Sequence, residues 1–259
     1  MRYFFSLLLL ASSFFWACNN TPSTTTPLVV TMTEAKAKKC VVDTVCAQIE
    51  LAYPVLSGGD KPAVVQSIND TIMAFVYMVI GGDQKMPLPQ AFDSAIANLY
   101  LMVQDQYAAT PEMGMSFANE LTSKNLFQSK KALSIEMSNY SFTGGAHGNY
   151  GSALFSFSLA DGKLVELTDI VKDTVALQAL IQKGFVDTHN KNGDHYTLED
   201  LVFPESIPLP LPMQWCVVKE GVRFVYNPYE VAPYAVGQTD IILTWEQLGV
   251  LADRNKWMD

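Results

Sequence analysis

Residues 126–159, LFQSKKALSIEMSNYSFTGGAHGNYGSALFSFSL, decide the fold class of this chain. Leu126–Met137 and Ala153–Leu159 have the apolar and β-branched character of strands, and Met113–Thr122 predicts another strand just before them. Residues 143–150 join two of these strands through a loop with three glycines in five residues, which lets the backbone take positive φ and approach a partner closely. The middle of the chain is therefore predicted to form an antiparallel sheet.

Helical patterns lie on both sides of this β-rich region. Apolar residues recur at helical spacing from Pro62 to Val79, a second helix is predicted from Leu88, and Leu177–Phe185 lies on a third. Further strands are predicted at Val45–Tyr53 and Thr239–Thr244. Because helices and strands come in separate groups, we expect an α+β fold. Antiparallel sheet would pack with about three amphipathic helices, as two sub-domains in one globular body.

Composition limits the class of protein and of partner. The chain has 259 residues, 49% of them hydrophobic, which excludes a disordered protein. Lys+Arg 17 against Asp+Glu 26 gives a net charge of −9. Removing residues 1–17, which contain Arg2 and no acid, lowers this to −10. An acidic chain without a basic run is unsuited to nucleic acid and better suited to a basic partner, although a solvated acidic surface is the commoner explanation of such a charge.

The N-terminus predicts the compartment. Residues 1–17 have a positive start followed by about 14 apolar residues, too few to span a bilayer but typical of a secretory signal. The end of this run resembles a bacterial lipoprotein signal, in which Cys18 becomes lipidated. The alternative is ordinary secretion with Cys18 as a bystander. We expect a flexible Ser/Thr/Pro tether over residues 18–39, a first α+β domain over 40–160 and a second over 161–259. The protein would be lipid-anchored at the cell envelope, at the outer membrane or the periplasmic face.

Three other cysteines allow one disulfide in an exported chain. Cys40 and Cys46 are the favoured pair, provided that residues 41–45 turn back. Cys216 lies in an apolar run and is predicted to be a buried thiol.

Two loops carry the candidate partner-binding residues. In the first loop these are Gly144, Gly145, His147 and Asn149. Residues 227–237 hold two prolines and a glycine, and offer Tyr229, Glu230 and Tyr234 as a recognition surface. For both loops the alternative is a purely structural role, as a turn or a well-packed crossover.

No catalytic residue, metal ligand or cofactor is assigned. His147 lacks a nucleophile or carboxylate in its own segment. Residues 188–199 come close to a calcium loop, but Thr188 stands where a carboxylate is needed. His189 and His195 have no second cluster with metal-ligand spacing.

Several motifs carry a family resemblance. They are TGGAHGNY at residues 143–150, Asp161-Gly162-Lys163, and FVYNPYEVAPYAVG at residues 224–237. They resemble a pair of adjacent bacterial domains of unknown function, over about residues 45–251. The same pair is similar to the ectodomain of the lysozyme-binding anti-sigma factor (RsiV-like). It is also similar to the non-catalytic N-terminal region of a peptidoglycan deacetylase (PdaC-like).

The resemblance implies an α+β binding module of the envelope without catalytic residues of its own. The sequence has no recognisable cytoplasmic anti-sigma segment or deacetylase domain, so we expect neither regulated proteolysis nor deacetylation. The first hypothesis is a lipid-anchored monomer that binds lysozyme-like basic proteins. The alternatives are a peptidoglycan-binding module that stacks sugars on Tyr229, Tyr234 or Trp215, and a hydrolase centred on His147.

Overall fold

The fold is α+β, as the sequence predicts, and contains a five-stranded mixed sheet and a three-stranded antiparallel sheet. The computed structural model describes residues 26–259, so the predicted signal, Cys18 and residues 18–25 of the predicted tether lie outside the described residues. The larger sheet has the order β1-β2-β3-β4-β5 and the smaller one β6-β7-β8. The strands are β1 Leu28–Val42, β2 Val45–Gly58, β3 Phe117–Gln128, β4 Ala132–Phe142, β5 Asn149–Ser158, β6 Gln214–Val217, β7 Gly221–Tyr226 and β8 Thr239–Thr244. The helices are α1 Pro62–Ile80, α2 Leu88–Ala109, α3 Leu167–Ile170, α4 Thr174–His189, α5 Leu198–Leu201 and α6 Trp245–Leu248.

The predicted tether is wrong from Leu28 onward, because residues 28–42 form the edge strand β1. This strand pairs with β2 along its whole length, with Leu28 opposite Gly58 and Cys40 opposite Cys46. Its pairing satisfies backbone groups that a tether would leave to water. The sequence gives only a weak sign of this strand, because most of its side chains are exposed and the apolar residues that alternate with its lysines are small alanines.

The β2–β3 pair is parallel, whereas the sequence predicts antiparallel pairing. Ala47 pairs with Phe117 and Leu51 with Leu121 in the same direction. Parallel neighbours require a long crossover, which α1 and α2 supply. The sheet is therefore mixed, with one crossover and antiparallel pairs elsewhere.

The predicted strand Leu126–Met137 is also corrected, since a turn at residues 129–131 divides it between β3 and β4. Ser129 Oγ accepts hydrogen bonds from the backbone N–H groups of Lys131 and Ala132, each at 3.0 Å, and fixes this turn. The apolar character of the flanking residues hides a turn whose signal is a single serine followed by two lysines.

Helix α1 is long and apolar enough to cross a membrane by length and composition, but it packs as a core helix. Val64, Ile68, Ile72 and Val76 recur at helical spacing and are buried against the five-stranded sheet. Helix α1 ends at Gly81, whose φ of 63° is the left-handed conformation that glycine adopts without strain. Helix α2 lies beside it on the same sheet face.

The opposite face of β4 and β5 receives the second half of the chain. Successive β4 side chains point to opposite faces, so Ile135 packs under the helices while Ser134 and Glu136 face the smaller sheet. Ser156 Oγ on β5 accepts a hydrogen bond from the backbone N–H of Val217 on β6 at 2.8 Å. The second half has its own core, in which α4 packs on β8.

Arg223 on β7 joins the two halves through charge. Its Nη1 and Nη2 donate to both carboxylate oxygens of Glu136 at 3.0 and 3.2 Å, while its Nε donates to both oxygens of Asp240 at 2.8 and 3.0 Å. The side chains of Arg223 and Glu136 are only 13% and 9% exposed. Burial alone would raise the pKa of Glu136, but the hydrogen bonds and charge of Arg223 hold it below its ordinary value. The ion pair therefore fixes the smaller sheet on β4.

The sheet has two distinct ends. Leu28 begins β1 at one end, where Gln128 Nε2 donates to its carbonyl at 3.3 Å. Cys40 and Cys46 lie at the other end, near Phe117, which begins β3. Since β4 runs antiparallel to β3, the loop that follows β4 lies at the Cys40–Cys46 end. The strand β1, of 15 residues, separates the two ends by roughly 46 Å at 3.3 Å per residue.

Candidate functional site

Two loops from different halves of the chain meet at this second end. The Gly-His loop, residues 143–148, connects β4 to β5, and the Asn-Pro-Tyr loop, residues 227–238, connects β7 to β8. The Tyr234 hydroxyl donates to the carbonyl oxygen of Gly148 at 2.9 Å. The rings of His147 and Tyr234 stack with centroids 3.9 Å apart and planes 17° apart. The two loops that the sequence singles out therefore form one composite surface.

Five aromatic rings make up this surface. Tyr229 lies 5.5 Å from Tyr234 and 6.5 Å from His147 between ring centroids. Tyr150 meets Tyr234 edge-on at 5.8 Å. The ring of Tyr140 lies against the Gly-His loop, on the same sheet face as Tyr150, its cross-strand partner. We call the five rings the aromatic cluster: Tyr140, His147, Tyr150, Tyr229 and Tyr234.

Glycines allow the Gly-His loop to lie this close. Gly144 and Gly145 have φ of +99° and +96°, which side chains of L-residues rarely adopt. A Cβ on Gly148 would lie 2.4 Å from Cε2 of Tyr140, so only glycine lets that ring rest on the backbone. Gly144 lies over the ring of Phe117, where a Cβ would be 3.6 Å away, and this contact places the loop on the sheet.

Asn227 attaches the second loop to the first half of the chain. Its Oδ1 accepts from the backbone N–H of Ser152 at 2.8 Å, and its Nδ2 donates to the Ser152 carbonyl at 3.1 Å. Its own backbone N–H donates to Oε2 of Glu230 at 2.9 Å. Glu230 is one of the predicted partner-binding residues, and in the structure its carboxylate closes the loop. Asn227, missed as a site residue, has the positioning role.

Tyr229 is held in an unfavourable backbone conformation. Its φ of 68° makes it the single non-glycine residue with positive φ among residues 26–259. A left-handed conformation costs an ordinary L-residue roughly 1–2 kcal/mol. The ring is nonetheless 54% exposed, so it gains little from burial in return. Strained non-glycine residues of this kind cluster at functional sites.

His147 contacts a backbone carbonyl and two tyrosine side chains. Its Nδ1 lies 3.0 Å from the carbonyl oxygen of Gly148, which can only accept, so Nδ1 carries the proton in that bond. Its Nε2 lies 3.5 Å from the Tyr229 hydroxyl, at the limit of a hydrogen bond. These contacts orient the imidazole against Tyr234, and they include neither a carboxylate nor a nucleophile.

The Tyr234 phenol is neutral at neutral pH. Loss of solvent around the Tyr234 hydroxyl, together with three neighbouring tyrosines of the cluster, raises the pKa of Tyr234 above its ordinary value. Tyr140 and Tyr150 are 38% and 39% exposed. The exposed rings can therefore stack on a partner, and their polar atoms can exchange hydrogen bonds with it.

Other residues predicted from sequence lie outside the cluster. Asn149 is exposed at the start of β5, and Gly145 is open to solvent. Trp215 is partly buried against the core of the second half, so it does not offer the exposed ring that stacking on a sugar requires.

Tyr140 and Tyr150 were not predicted as site residues. They flank the Gly-His loop, and only the β4–β5 register, with Tyr140 opposite Tyr150, brings them together.

Two of the described cysteines form a disulfide, and the third is a buried thiol. Cys40 and Cys46 lie opposite each other across the β1–β2 turn and form a disulfide. The backbone N–H of Cys46 donates to Oγ of Ser116 at 2.9 Å, which ties the turn to the start of β3 below the Gly-His loop. Cys216 is a buried free thiol, and burial raises its pKa to about 12, so it is unreactive at neutral pH.

The two histidines weighed as metal ligands have other environments. His189 Nε2 lies 2.8 Å from Oγ1 of buried Thr239, and burial lowers the pKa of His189. His195 is exposed in the loop after α4. Within residues 26–259, no group of three or more His, Cys, Asp or Glu side chains is arranged to hold a metal ion.

Each half of the chain matches a protein-family model. Residues 40–150 match the family described as Deacetylase PdaC, and residues 161–246 match the family described as Protein of unknown function DUF3298. The two domains are adjacent, as the motifs of the two loops indicate. No curated protein matches the chain.

Two solved structures share the fold. One is a DUF3298 family member from Bacteroides fragilis, 18% identical, with a TM-score of 0.69 over 89% of this chain and 96% of that one. The other is a DUF3298 family protein from Pseudomonas aeruginosa, 19% identical, with a TM-score of 0.58 over 90% of this chain and 98% of that one. At these identities the likeness concerns the fold alone.

Proposed function

We propose that this chain, which contains a PdaC domain followed by a DUF3298 domain, is a non-catalytic binding module of the bacterial cell envelope. A lipid on Cys18 would anchor it to the membrane, and its partner would bind at the aromatic cluster. Replacing Cys18 by serine should move the protein from the membrane to the soluble fraction. Retention of the Cys18→Ser variant in the membrane fraction would contradict the anchor.

The observation that carries the proposal is the exposure of the aromatic cluster on a rigid frame. Tyrosine supplies large amphipathic contact area at low entropic cost, and the strongest contacts of interfaces are enriched in such rings. Stacking, the Asn227 hydrogen bonds and the glycine conformations all hold the rings before a partner arrives. Pre-ordering reduces the conformational entropy lost on binding.

The position of the cluster supports the same function. Leu28 follows the residues that would connect to the anchor, whereas the cluster lies at the opposite end of the five-stranded sheet. A protein attached through its N-terminus would present the cluster away from the membrane, within reach of a soluble or wall-bound partner.

The first partner we propose is a lysozyme-like basic protein. A net charge of −10 without the signal would accelerate encounter with a basic protein, and this effect weakens with salt. Calorimetric titration with several lysozymes at low and moderate salt tests the idea. Tyr229→Ala should weaken binding by a factor of about ten or more, as interface anchors do. Tyr196→Ala, which removes a ring that is 45% exposed in the loop after α4, should have no effect. Absence of binding at micromolar protein would exclude this partner.

A glycan is the second candidate, because flat exposed rings also stack on sugars. Sedimentation with purified peptidoglycan sacculi separates the two: the glycan candidate requires the protein in the pellet and its loss in Tyr229→Ala. The hydrolase alternative has less support, given the contacts of His147. If any wall-degrading activity were detected and His147→Ala abolished it without unfolding the protein, the binding-only proposal would be wrong.

A further inference from the structure

The aromatic cluster continues into a straight row of side chains across the five-stranded sheet. The registers pair Lys36 with Glu50, Glu50 with Glu120, Glu120 with Tyr140, and Tyr140 with Tyr150. Directly opposed residues share a sheet face, with Cβ atoms roughly 5 Å apart. The face is the one that the second domain covers at β4 and β5, so at β1–β3 the row is open.

Glu120 differs from the other carboxylates on this face. Glu50 makes an ion pair with Lys36 at 3.3 Å and accepts from Gln48 Nε2 at 2.5 Å. Glu136 is held by Arg223. Across residues 26–259, the carboxylate of Glu120 takes part in no hydrogen bond or ion pair, and its cross-strand neighbours are the paired Glu50 and the exposed ring of Tyr140.

A single free carboxylate beside exposed tyrosine rings has a definite chemical preference. A cation packed over the face of a tyrosine is attracted to the ring, and arginine does so most often in proteins. A guanidinium can do this while donating paired hydrogen bonds to a carboxylate. The aliphatic stem of the same side chain would lie on the phenol rings. A sugar hydroxyl would gain the stacking but not the charge.

We propose that Glu120 selects for charge at the binding surface, so that a protein partner places an arginine side chain against Glu120, Tyr140 and Tyr150. The inference rests on the proposed function and makes the partner at this surface a basic protein segment. Glu120 would then set specificity, while the rings of the two loops supply most of the contact area.

The test uses the full-length protein in detergent with isotope-labelled tyrosine rings, titrated with Nα-acetyl-arginine amide and followed by NMR. The neutral isostere Nα-acetyl-citrulline amide is the matched ligand control. Glu120→Gln is the test variant, and Glu50→Gln is the matched protein control because Lys36 already neutralises Glu50.

The ring signals of Tyr140 and Tyr150 should shift saturably with the arginine probe in wild type. Glu120→Gln should raise the dissociation constant about two- to fivefold, the size of an exposed charge pair, whereas Glu50→Gln should leave it unchanged. The effect should shrink in high salt. The inference is overturned if citrulline binds as well as arginine, if Glu120→Gln titrates like wild type, or if no ring shifts. If the arginine titration fails but a lysozyme still binds through Tyr229, only the role proposed for Glu120 is wrong. A positive titration without any lysozyme binding removes only that partner.

Discussion

Replacing Arg223 by methionine should lower the free energy of unfolding by about 3–5 kcal/mol at pH 7, the cost of leaving a buried charge without its partner. The charge left behind is that of Glu136, whose side chain is 9% exposed. Asp240, the other partner of Arg223, is 40% exposed and can be solvated, so it adds little. Methionine keeps an unbranched stem in place of the arginine stem, which limits the packing loss to the volume of the guanidinium.

The predicted loss depends on pH in a defined direction. In wild type the pKa of Glu136 lies below its ordinary value of 4.5, so its stabilising contribution is present above that pH and is lost as the pH falls through the lowered pKa. Without Arg223, burial would raise the pKa of Glu136. Acidification would then protonate Glu136, remove the buried charge and restore part of the stability of the variant. The difference between wild type and Arg223→Met should therefore shrink from pH 7 to pH 4.5, by about 1.4 kcal/mol per unit of raised pKa.

Urea denaturation at the two pH values measures both effects. Glu136→Gln in the Arg223→Met background should recover a large part of the loss, because an amide carries no charge to bury. Lys183→Met is the surface control: its partner Asp187 and Lys183 itself are 59% and 73% exposed, so at most about 0.5 kcal/mol is expected. A loss below 1 kcal/mol for Arg223→Met, or an equal loss at pH 7 and 4.5, would refute the reasoning.

Three further substitutions test the site. Gly148→Ala should displace the Tyr140 ring and lower the urea midpoint, because its Cβ would meet that ring at 2.4 Å; an unchanged midpoint and unchanged partner affinity would contradict the contact. Asn227→Ala should cost about 1–3 kcal/mol in the same assay, because the backbone of Ser152 loses both its bonds to the side chain. Tyr229→Gly should raise the free energy of unfolding by up to about 1 kcal/mol, because glycine adopts a φ of 68° without strain. The same substitution should weaken partner binding. A loss of stability in Tyr229→Gly would contradict the strain assigned to this residue.

Helices could be predicted from the sequence because their signal is local. The stripe of Val64, Ile68, Ile72 and Val76 has helical spacing, and Gly81-Gly82 ends the pattern where α1 ends. The strand β1 could not, because it is held by pairing with β2 and buries little of its own surface. The parallel β2–β3 pair follows from a crossover of two helices, a tertiary fact that strand patterns do not contain.

The site was only partly predictable for a related reason. Loop composition indicates His147, Tyr229 and Tyr234, because clusters of glycine and proline can be recognised in the sequence without a structure. Tyr140 and Tyr150 lie within strands, and their place in the cluster depends on a register that one residue of slip would reverse. The position of Glu120 between Glu50 and Tyr140 is set by two strand registers, β2–β3 and β3–β4. No local sequence pattern could therefore identify it.

The aromatic cluster is divided between the two matched domains. Tyr140, His147 and Tyr150 lie within the PdaC match, at residues 40–150, while Tyr229 and Tyr234 lie within the DUF3298 match, at residues 161–246. Either domain alone would hold only part of the rings. The stack of His147 on Tyr234 and the bonds from Asn227 to Ser152 form only when the domains are docked, and Arg223 fixes that docking from the interior. Under the proposed function, binding at the cluster would be coupled to the domain interface. A partner that contacts both loops would stabilise the docked arrangement, and a substitution that loosens the interface would weaken binding without touching the site.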